Sequence, residues 1–277
     1  MAYCYFSGRI VKEDNVGLSV RDLGVLRGYG VFDLLRTYGG KPFLFNEHFK
    51  RFVNSARVLG LQVPISRTKA AVVVDKLLKK NRYAESTVRF VLTGGRAGDG
   101  IHFNPEAPTF FILVSPFHQL PASVYTKGVA LRTHEHLREF PAVKSLNYLT
   151  AVRLHNPEKG KQPFEVLYTW QGRVLEATTS NFFIFKGHTL VTPRRDVLVG
   201  TTRNLVMKLA QRKFQVSERD IPLRDLSRAR EAFLTATNKE IVPVVEIDGK
   251  RIGNGKVGER TKLLMGLFAK HRGLQVQ

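Results

Sequence analysis

The chain has 277 residues, 43% hydrophobic and 24% charged, with 44 Lys and Arg against 23 Asp and Glu, a formal net charge of +21. This composition suits one large or two small globular domains and excludes a mostly disordered chain. No apolar run approaches the roughly 18 to 20 residues needed to span a bilayer. Residues Met1 to Asp14 lack a basic leader ahead of an apolar core, so no signal peptide is expected and a cytoplasmic location is the default. The single cysteine, Cys4, excludes an internal disulfide, and no metal site is expected. Basic residues are spread along the chain, with only short clusters such as Lys79–Lys80 and Arg194–Arg195. The surplus therefore reads as a solvated surface that also draws in anionic substrates, and not as a nucleic-acid footprint.

Short strands are expected at Tyr3 to Phe6 and Arg9 to Val11. A helix over Glu47 to Leu61 should turn Phe49, Phe52, Val53, Ala56 and Leu59 inward, leaving Arg51 on another side. A second helix is expected at Arg67 to Lys80, and strands at Val88 to Thr93 and Thr109 to Val114. His118 to Gly128 has no periodicity and reads as a linker. The expected organisation is a smaller α+β domain over residues 1–119, a linker over 120–124, and a larger α+β domain over 125–277. In the second domain strands are expected at Val129 to Thr133, Glu165 to Trp170, Phe182 to Phe185 and Leu190 to Thr192. Helices are expected from near Asn147, over Thr201 to Lys213, Arg224 to Ala232, and Val257 to Lys270. Asp248-Gly249, between Val244 to Ile247 and Lys250 to Ile252, signals a hairpin.

Several residues could carry chemistry. Lys144, in Val143-Lys-Ser-Leu-Asn-Tyr148, lies among apolar neighbours. Its amine either reaches solvent or is desolvated, and desolvation makes a nucleophilic amine. Glu176, at the end of a strand, is either a solvated acid or a buried partner for a cationic ring nitrogen. Gly200-Thr-Thr-Arg203 opens a helix, where N–H groups suit a phosphate or need only an ordinary cap. Thr235-Ala-Thr-Asn238 offers further donors, and Arg51 is either a phosphate clamp or a solvated arginine.

Taken together, these motifs resemble the fold-type IV pyridoxal-phosphate enzymes, among them branched-chain aminotransferases, D-amino-acid transaminases and aminodeoxychorismate lyases. The resemblance runs nearly end to end. It rests on Leu26-Arg-Gly-Tyr-Gly-Val-Phe-Asp33, Glu47-His48-Phe-Lys-Arg51, Val143 to Tyr148, Glu176 to Phe183, Gly200 to Arg203 and Thr235 to Pro243. It implies the two-domain α+β fold of that class, a homodimer, and pyridoxal 5'-phosphate held in the cleft between the domains. It also implies a role for each matching residue. Lys144 would hold the cofactor as an internal aldimine, and Glu176 would pair with its ring nitrogen. Arg51 would grip the phosphate with Thr201, Thr202, Thr237 and Asn238, and Tyr148 would stand near the phenolic oxygen. Two departures are a threonine at 201, where the family has Ile or Val, and a loop Pro193 to Val199 about one residue shorter than in many members.

A substrate carboxylate needs a cation, for which Arg27 and Arg89 are candidates, with Tyr29 beside them in the glycine-flanked turn. This arrangement resembles a subgroup of D-amino-acid transaminases with an arginine in the LRGYG segment and another before a Leu-Thr-Gly-Gly turn. Phe32-Asp-Leu-Leu-Arg36 departs from the Phe-Glu-Gly-x-Arg of branched-chain enzymes at Asp33 and Leu34. The expected activity is a ping-pong amino transfer between a D-glutamate or D-alanine type donor and 2-oxoglutarate or pyruvate. A branched-chain L-amino-acid aminotransferase, an aminodeoxychorismate lyase and a nucleic-acid-binding protein on a retired fold are the alternatives.

Overall fold

In the computed structural model, which describes residues 1–156 and 162–274, the chain divides into two compact units. The first unit comprises Met1–His118 together with the short segment Val143–Asn147. Its elements are β1 (Tyr3–Phe6), β2 (Arg9–Lys12), α1 (Leu23–Arg27), β3 (Gly30–Tyr38), β4 (Lys41–Pro42), α2 (Phe45–Val58), α3 (Arg67–Asn81), β5 (Ser86–Thr93) and β6 (Thr109–Pro116). Six antiparallel strands run in the order β2-β1-β6-β5-β3-β4. Both long helices pack on this sheet through one stripe each, Phe49, Phe52 and Ala56 on α2 and Ala70, Val73, Val74 and Leu77 on α3. The stripes recur at helical spacing, and Ser66 caps α3 by accepting from the Lys69 N–H. Val53 is 37% exposed, so the expectation that it faces inward was wrong; the buried stripe is narrower and runs through Phe49, Phe52 and Ala56.

Four phenylalanines fill the centre of this unit. The Phe52 ring lies 5.7 Å from Phe90 and 6.1 Å from Phe110, and Phe49 meets Phe90 edge-on at 6.0 Å. Strand β3, which sequence periodicity did not single out, crosses the unit with Val31, Asp33 and Leu35 fully buried.

The second unit comprises Gln119–Ala142 and the chain from Tyr148 onward. Its elements are α4 (Ala122–Thr126), β7 (Val129–Glu135), α5 (Leu149–His155), β8 (Glu165–Trp170), β9 (Arg173–Ala177), β10 (Asn181–Lys186), β11 (Thr189–Thr192), α6 (Thr201–Ala210), β12 (Gln215–Glu218), β13 (Ile221–Pro222), β14 (Glu231–Ala236), β15 (Glu240–Ile247), β16 (Lys250–Arg251) and α7 (Glu259–Leu274). The sheet order among the described residues is β12-β11-β10-β14-β15-β7-β8-β9-β13, with β16 paired to β15. Pairing is parallel between β11 and β12, β15 and β7, and β7 and β8, and antiparallel elsewhere. Part of the expected linker is the short helix α4.

The expected helix over Arg224 to Ala232 is absent. Leu223–Arg228 forms a short 3-10 turn, and the next residues enter β14, where Phe233 and Leu234 are buried between β10 and β15. The rings of Phe183 and Phe233 stack at 4.8 Å across β10 and β14.

Replacing Phe52 with alanine removes the ring at the centre of the first unit and leaves a cavity. A loss of about 3–5 kcal/mol in unfolding free energy is expected by urea titration.

Candidate active site

In the first unit the segment Val143–Asn147 lies along β3. The Phe32 N–H donates to the Lys144 carbonyl and the Leu146 N–H to the Gly30 carbonyl, both at 2.9 Å, and Val31 bridges to Ser145. The Lys144 N–H donates to Ser55 Oγ on α2 at 3.2 Å. Gly30 is required at this junction, because a Cβ there would meet the Leu92 carbonyl oxygen at 2.5 Å and Leu146 Cδ1 at 2.7 Å. The lysine backbone is therefore clamped on both sides while its half-buried side chain extends, with Nζ 4.6 Å from the centre of the Phe32 ring.

Beside it lies a charged cluster that periodicity did not single out. Asp33, fully buried on β3, accepts from Arg51 Nε at 2.7 Å, Arg51 Nη2 at 2.8 Å and His48 Nδ1 at 2.7 Å. Burial alone would raise the Asp33 carboxyl, but the Arg51 guanidinium and His48 hold it well below the usual carboxylate range. His48 is pushed below its ordinary value by burial; Arg51 and Lys144 act in the same direction and Asp33 opposes them. The Nε–Nη2 edge of Arg51 is committed to Asp33, so a phosphate would have to approach another edge of the guanidinium. The sequence marked Asp33 only as the end of the LRGYGVFD segment and a departure from the branched-chain pattern, not as the partner of Arg51.

The residues expected to meet substrate also lie in this unit. Arg89 is exposed between buried Val88 and Phe90, as strand alternation implied, and its guanidinium carbon lies 5.6 Å from the centre of the Phe32 ring. Phe32 thus has the Lys144 amine and the Arg89 guanidinium against one ring. Arg27 ends α1, is exposed, and donates from Nη1 to the Leu26 carbonyl at 2.9 Å. Tyr29 donates its hydroxyl to the Leu59 carbonyl and packs its ring 5.4 Å from Phe103. That bond holds Tyr29 in place, and burial raises its phenol above the ordinary value.

In the second unit the carboxylate of Glu176, 6% exposed, has four donors. Arg138 gives Oε1 its Nε at 3.0 Å and its Nη2 at 2.5 Å; Oε2 receives Asn181 Nδ2 at 3.2 Å and the Leu198 N–H at 3.1 Å. Arg138 also donates to the Pro141 carbonyl. Sequence reasoning missed Arg138, which stands in an irregular segment 38 residues from Glu176. Tyr168 lies close to this pair, and burial, opposed by Arg138, pushes its phenol up to about 12, so its hydroxyl keeps its proton. Tyr148, at the N-terminus of α5, is half-buried and electrostatically coupled to both Arg138 and Tyr168.

Asn181 also donates to the Leu198 carbonyl at 2.7 Å, which anchors the loop ahead of α6. Gly200 caps α6 without a side chain, and a Cβ there would fall 2.0 Å from Asn181 Oδ1. Thr201 and Thr202 are buried in the first turn, where the N–H groups of a helix point outward along its axis. Thr235 is 2% exposed and its Oγ1 has no hydrogen-bond partner, while Thr237 and Asn238 follow in the half-buried turn after β14.

The second-unit residues therefore fit an anionic, aromatic ligand with a cationic ring nitrogen. An ion-paired carboxylate is fixed in place, a helix N-terminus suits a phosphate, and a buried hydroxyl lacks a partner. A ring N–H would exchange for one of the four donors on Glu176, most readily the long Asn181 contact. Among the described residues no group of three or more metal-binding side chains occurs. No helix among them is long and apolar enough to cross a membrane.

At pH 7 Asp33→Asn should be less stable by about 3 kcal/mol, because it leaves Arg51 paired to a neutral group. A depressed acid stabilises the fold above its unfolded value, about 4, and loses that contribution as pH falls through the folded value. The gap between wild type and variant should therefore close as urea titrations move below about pH 4.

Comparison with known proteins adds independent evidence. The sequence profile described as amino-transferase class IV matches residues 30–247. A Methanocaldococcus jannaschii protein, provisionally named a branched-chain-amino-acid aminotransferase, is 36% identical over 274 residues, covering 95% of this chain and 94% of its own. A D-alanine aminotransferase of Listeria innocua is 30% identical over 267 residues, covering 94% and 92%. The branched-chain amino acid aminotransferase of Escherichia coli superposes with a TM-score of 0.90 at 25% identity over 97% of this chain and 94% of that one. That of T.th., solved with pyridoxamine 5'-phosphate, superposes with a TM-score of 0.87 at 23% identity over 98% and 94%.

Proposed function

The chain belongs to the class IV aminotransferases, which depend on pyridoxal 5'-phosphate, and on that premise we propose that it moves an amino group from a D-amino acid of the glutamate or alanine type to 2-oxoglutarate or pyruvate. The observation that carries the choice of substrate is the cation arrangement around Phe32. Arg89 and the Lys144 amine lie against one ring, and Arg27 ends the LRGYG helix of the same unit. A guanidinium grips a carboxylate by two parallel hydrogen bonds, which fixes how the α-carbon is presented to the amine. The 30% identity to a D-alanine aminotransferase supports the same reading.

Each residue has a task in this reading. Bound pyridoxal phosphate supplies an electron sink for negative charge developing at the substrate's α-carbon. Lys144 would hold the cofactor through its amine, and its free amine would take the α-proton as general base and return it as general acid. Glu176, fixed by Arg138 and Asn181, would pair with the cofactor's ring nitrogen and favour its protonated form. Arg51, Thr201, Thr202, Thr237 and Asn238 hold the phosphate, and Tyr148 donates to the phenolic oxygen. Arg27 and Arg89 bind the substrate carboxylate, with Tyr29 packing beside them. The donor leaves as a 2-oxo acid before the acceptor enters, a ping-pong scheme.

A homodimer completes the proposal. Leu18, Val20, Val25, Leu26 and Ile101 expose apolar side chains on the first unit, Val20 by 80% and Ile101 by 68%, and a second copy is the occupant this reading assigns to them.

A second reading, transfer from branched-chain L-amino acids, is favoured by the 36% identical relative. Stopped-flow spectra of the loaded protein with D-glutamate, D-alanine, L-leucine and L-glutamate separate the two. Loss of the long-wavelength band with the D-amino acids alone is the expected result. Loss with the L-amino acids alone establishes the second reading, and no change with any of the four favours the lyase chemistry. Lys144→Ala should fold, take up cofactor without the covalent band, and lose turnover by more than about a thousandfold.

A further inference from the structure

The second unit contains a buried ion pair that none of the roles above uses. Glu165, the first residue of β8, has no exposed surface. Its Oε1 accepts from Lys239 Nζ at 2.5 Å and from Ser180 Oγ. Its Oε2 accepts from the Thr179 N–H at 2.8 Å, Thr179 Oγ1 at 3.1 Å and Thr178 Oγ1 at 3.2 Å. Lys239 Nζ also contacts Thr179 Oγ1 at 2.6 Å. Because Thr178 spends its one hydroxyl proton on Glu165, its oxygen accepts from His155 Nε2, 2.8 Å away. Burial alone would raise the Glu165 carboxyl, but Lys239 and the surrounding donors hold it below its ordinary value.

The position of this network is what matters. Thr178, Thr179 and Ser180 form the turn between β9 and β10, with Glu176 two residues before it and Asn181 directly after it. Lys239 belongs to the turn between β14 and β15 that carries Thr237 and Asn238, and the Tyr125 hydroxyl donates to its carbonyl at 3.2 Å. His155 ends α5, the helix that Tyr148 begins. One carboxylate thus ties together three separate chain segments, and each carries residues assigned above to the cofactor.

We propose that Glu165 and Lys239 are positioning residues that set the spacing between the ring-nitrogen acid, the phosphate-side turn and the Tyr148 helix, and so determine how tightly and in what orientation pyridoxal phosphate is held. The proposal rests on the cofactor roles assigned above. A buried pair of this kind contributes little net stability over an apolar replacement, yet losing one partner is costly, so its main effect is on which arrangement the segments adopt. The five donors on Glu165 come from two segments far apart in sequence, Thr178–Ser180 and Lys239, and Thr178 carries the link on to His155 at the end of α5.

The test is reconstitution. Apo-protein is titrated with pyridoxal 5'-phosphate and followed by the fluorescence of Trp170, the chain's single tryptophan, which ends β8. Thermal midpoints of the apo-proteins are measured alongside kcat and KM of the loaded ones. Glu165→Gln and Lys239→Met should weaken cofactor binding roughly tenfold to a hundredfold, the range expected for losing a charge-assisted hydrogen bond. Their kcat should fall more than KM rises, and Lys239→Arg should restore most of the affinity. Lys186→Met breaks a more exposed pair with Asp225 (2.9 Å) at the far end of β10, and should change cofactor affinity little. If Glu165→Gln does not fold, Thr178→Val decides. It keeps the charges paired while cutting the His155 link, and a severalfold loss of affinity supports the proposal. Folded variants that bind cofactor as tightly as wild type and keep its kcat overturn it. Wild-type protein that takes up no cofactor would instead defeat the cofactor assignment on which the proposal stands.

Discussion

A carboxylate can leave water only if something replaces its hydration, and three of the buried carboxylates among the described residues meet that need with three or more donors each. Asp33, Glu165 and Glu176 are all nearly or fully buried, and each accepts from at least three donors. Each costs several kcal/mol to bury and recovers that cost only with its partners in place. The requirement works in both directions. Asp33 needs Arg51, and so a long, flexible arginine on α2 acquires one orientation. Glu176 needs Arg138, and so the irregular segment before Pro141 is drawn against β9. Residues that would otherwise sample many rotamers are placed by the charge they neutralise.

The backbone completes what the charges begin. Lys144 is not part of any helix or regular strand, yet its N–H, its carbonyl and its neighbour Leu146 are all tied down. Clamping the main chain leaves the side chain and its amine as the mobile part. The same division recurs at α6. Gly200 is held against Asn181, whose side chain contacts both Glu176 and the Leu198 carbonyl. One amide therefore couples the position of the helix N-terminus to the position of the acid, so a shift in either is felt by the other.

These arrangements were unequally legible in the sequence. Helices α2 and α3 announced themselves by apolar spacing, and Asp248-Gly249 by its turn chemistry, with both residues at positive φ between β15 and β16. Strand β3 did not, because it is buried on both faces over much of its length and shows no alternation. The segment Arg224 to Ala232 carried helix-like spacing in Leu226 and Ala229, but Phe233 and Leu234 gain more by burial between two strands, so local propensity lost to tertiary packing. The site divides in the same way. Lys144, Glu176 and Gly200 to Thr202 stood out because each lies in a short local pattern. Arg138 did not, because its partner lies 38 residues away, and Asp33 showed only as a motif departure, its pairing with an arginine 18 residues on being hidden. A sequence read in short windows shows groups set in local patterns and hides the distant groups that hold them.

The net charge of +21 has a different physical reach from these contacts. At physiological ionic strength the Debye length is about 8 Å, so scattered surface lysines and arginines act on an approaching ligand only over roughly that distance. Such a field draws in pyruvate, 2-oxoglutarate and any other anion alike, and it speeds encounter without selecting among them. Discrimination must come from groups whose direction is fixed, and a guanidinium at a set position supplies one of the several fixed contacts needed to tell an α-carbon from its mirror image. Arg89, on a strand whose register with β3 is continuous from Gly30 to Arg36, is a charge of that kind, whereas the lysines of the α3 surface are not. The surplus charge therefore governs only how often an anion arrives, whereas a charge fixed on a sheet governs how the anion is oriented once there.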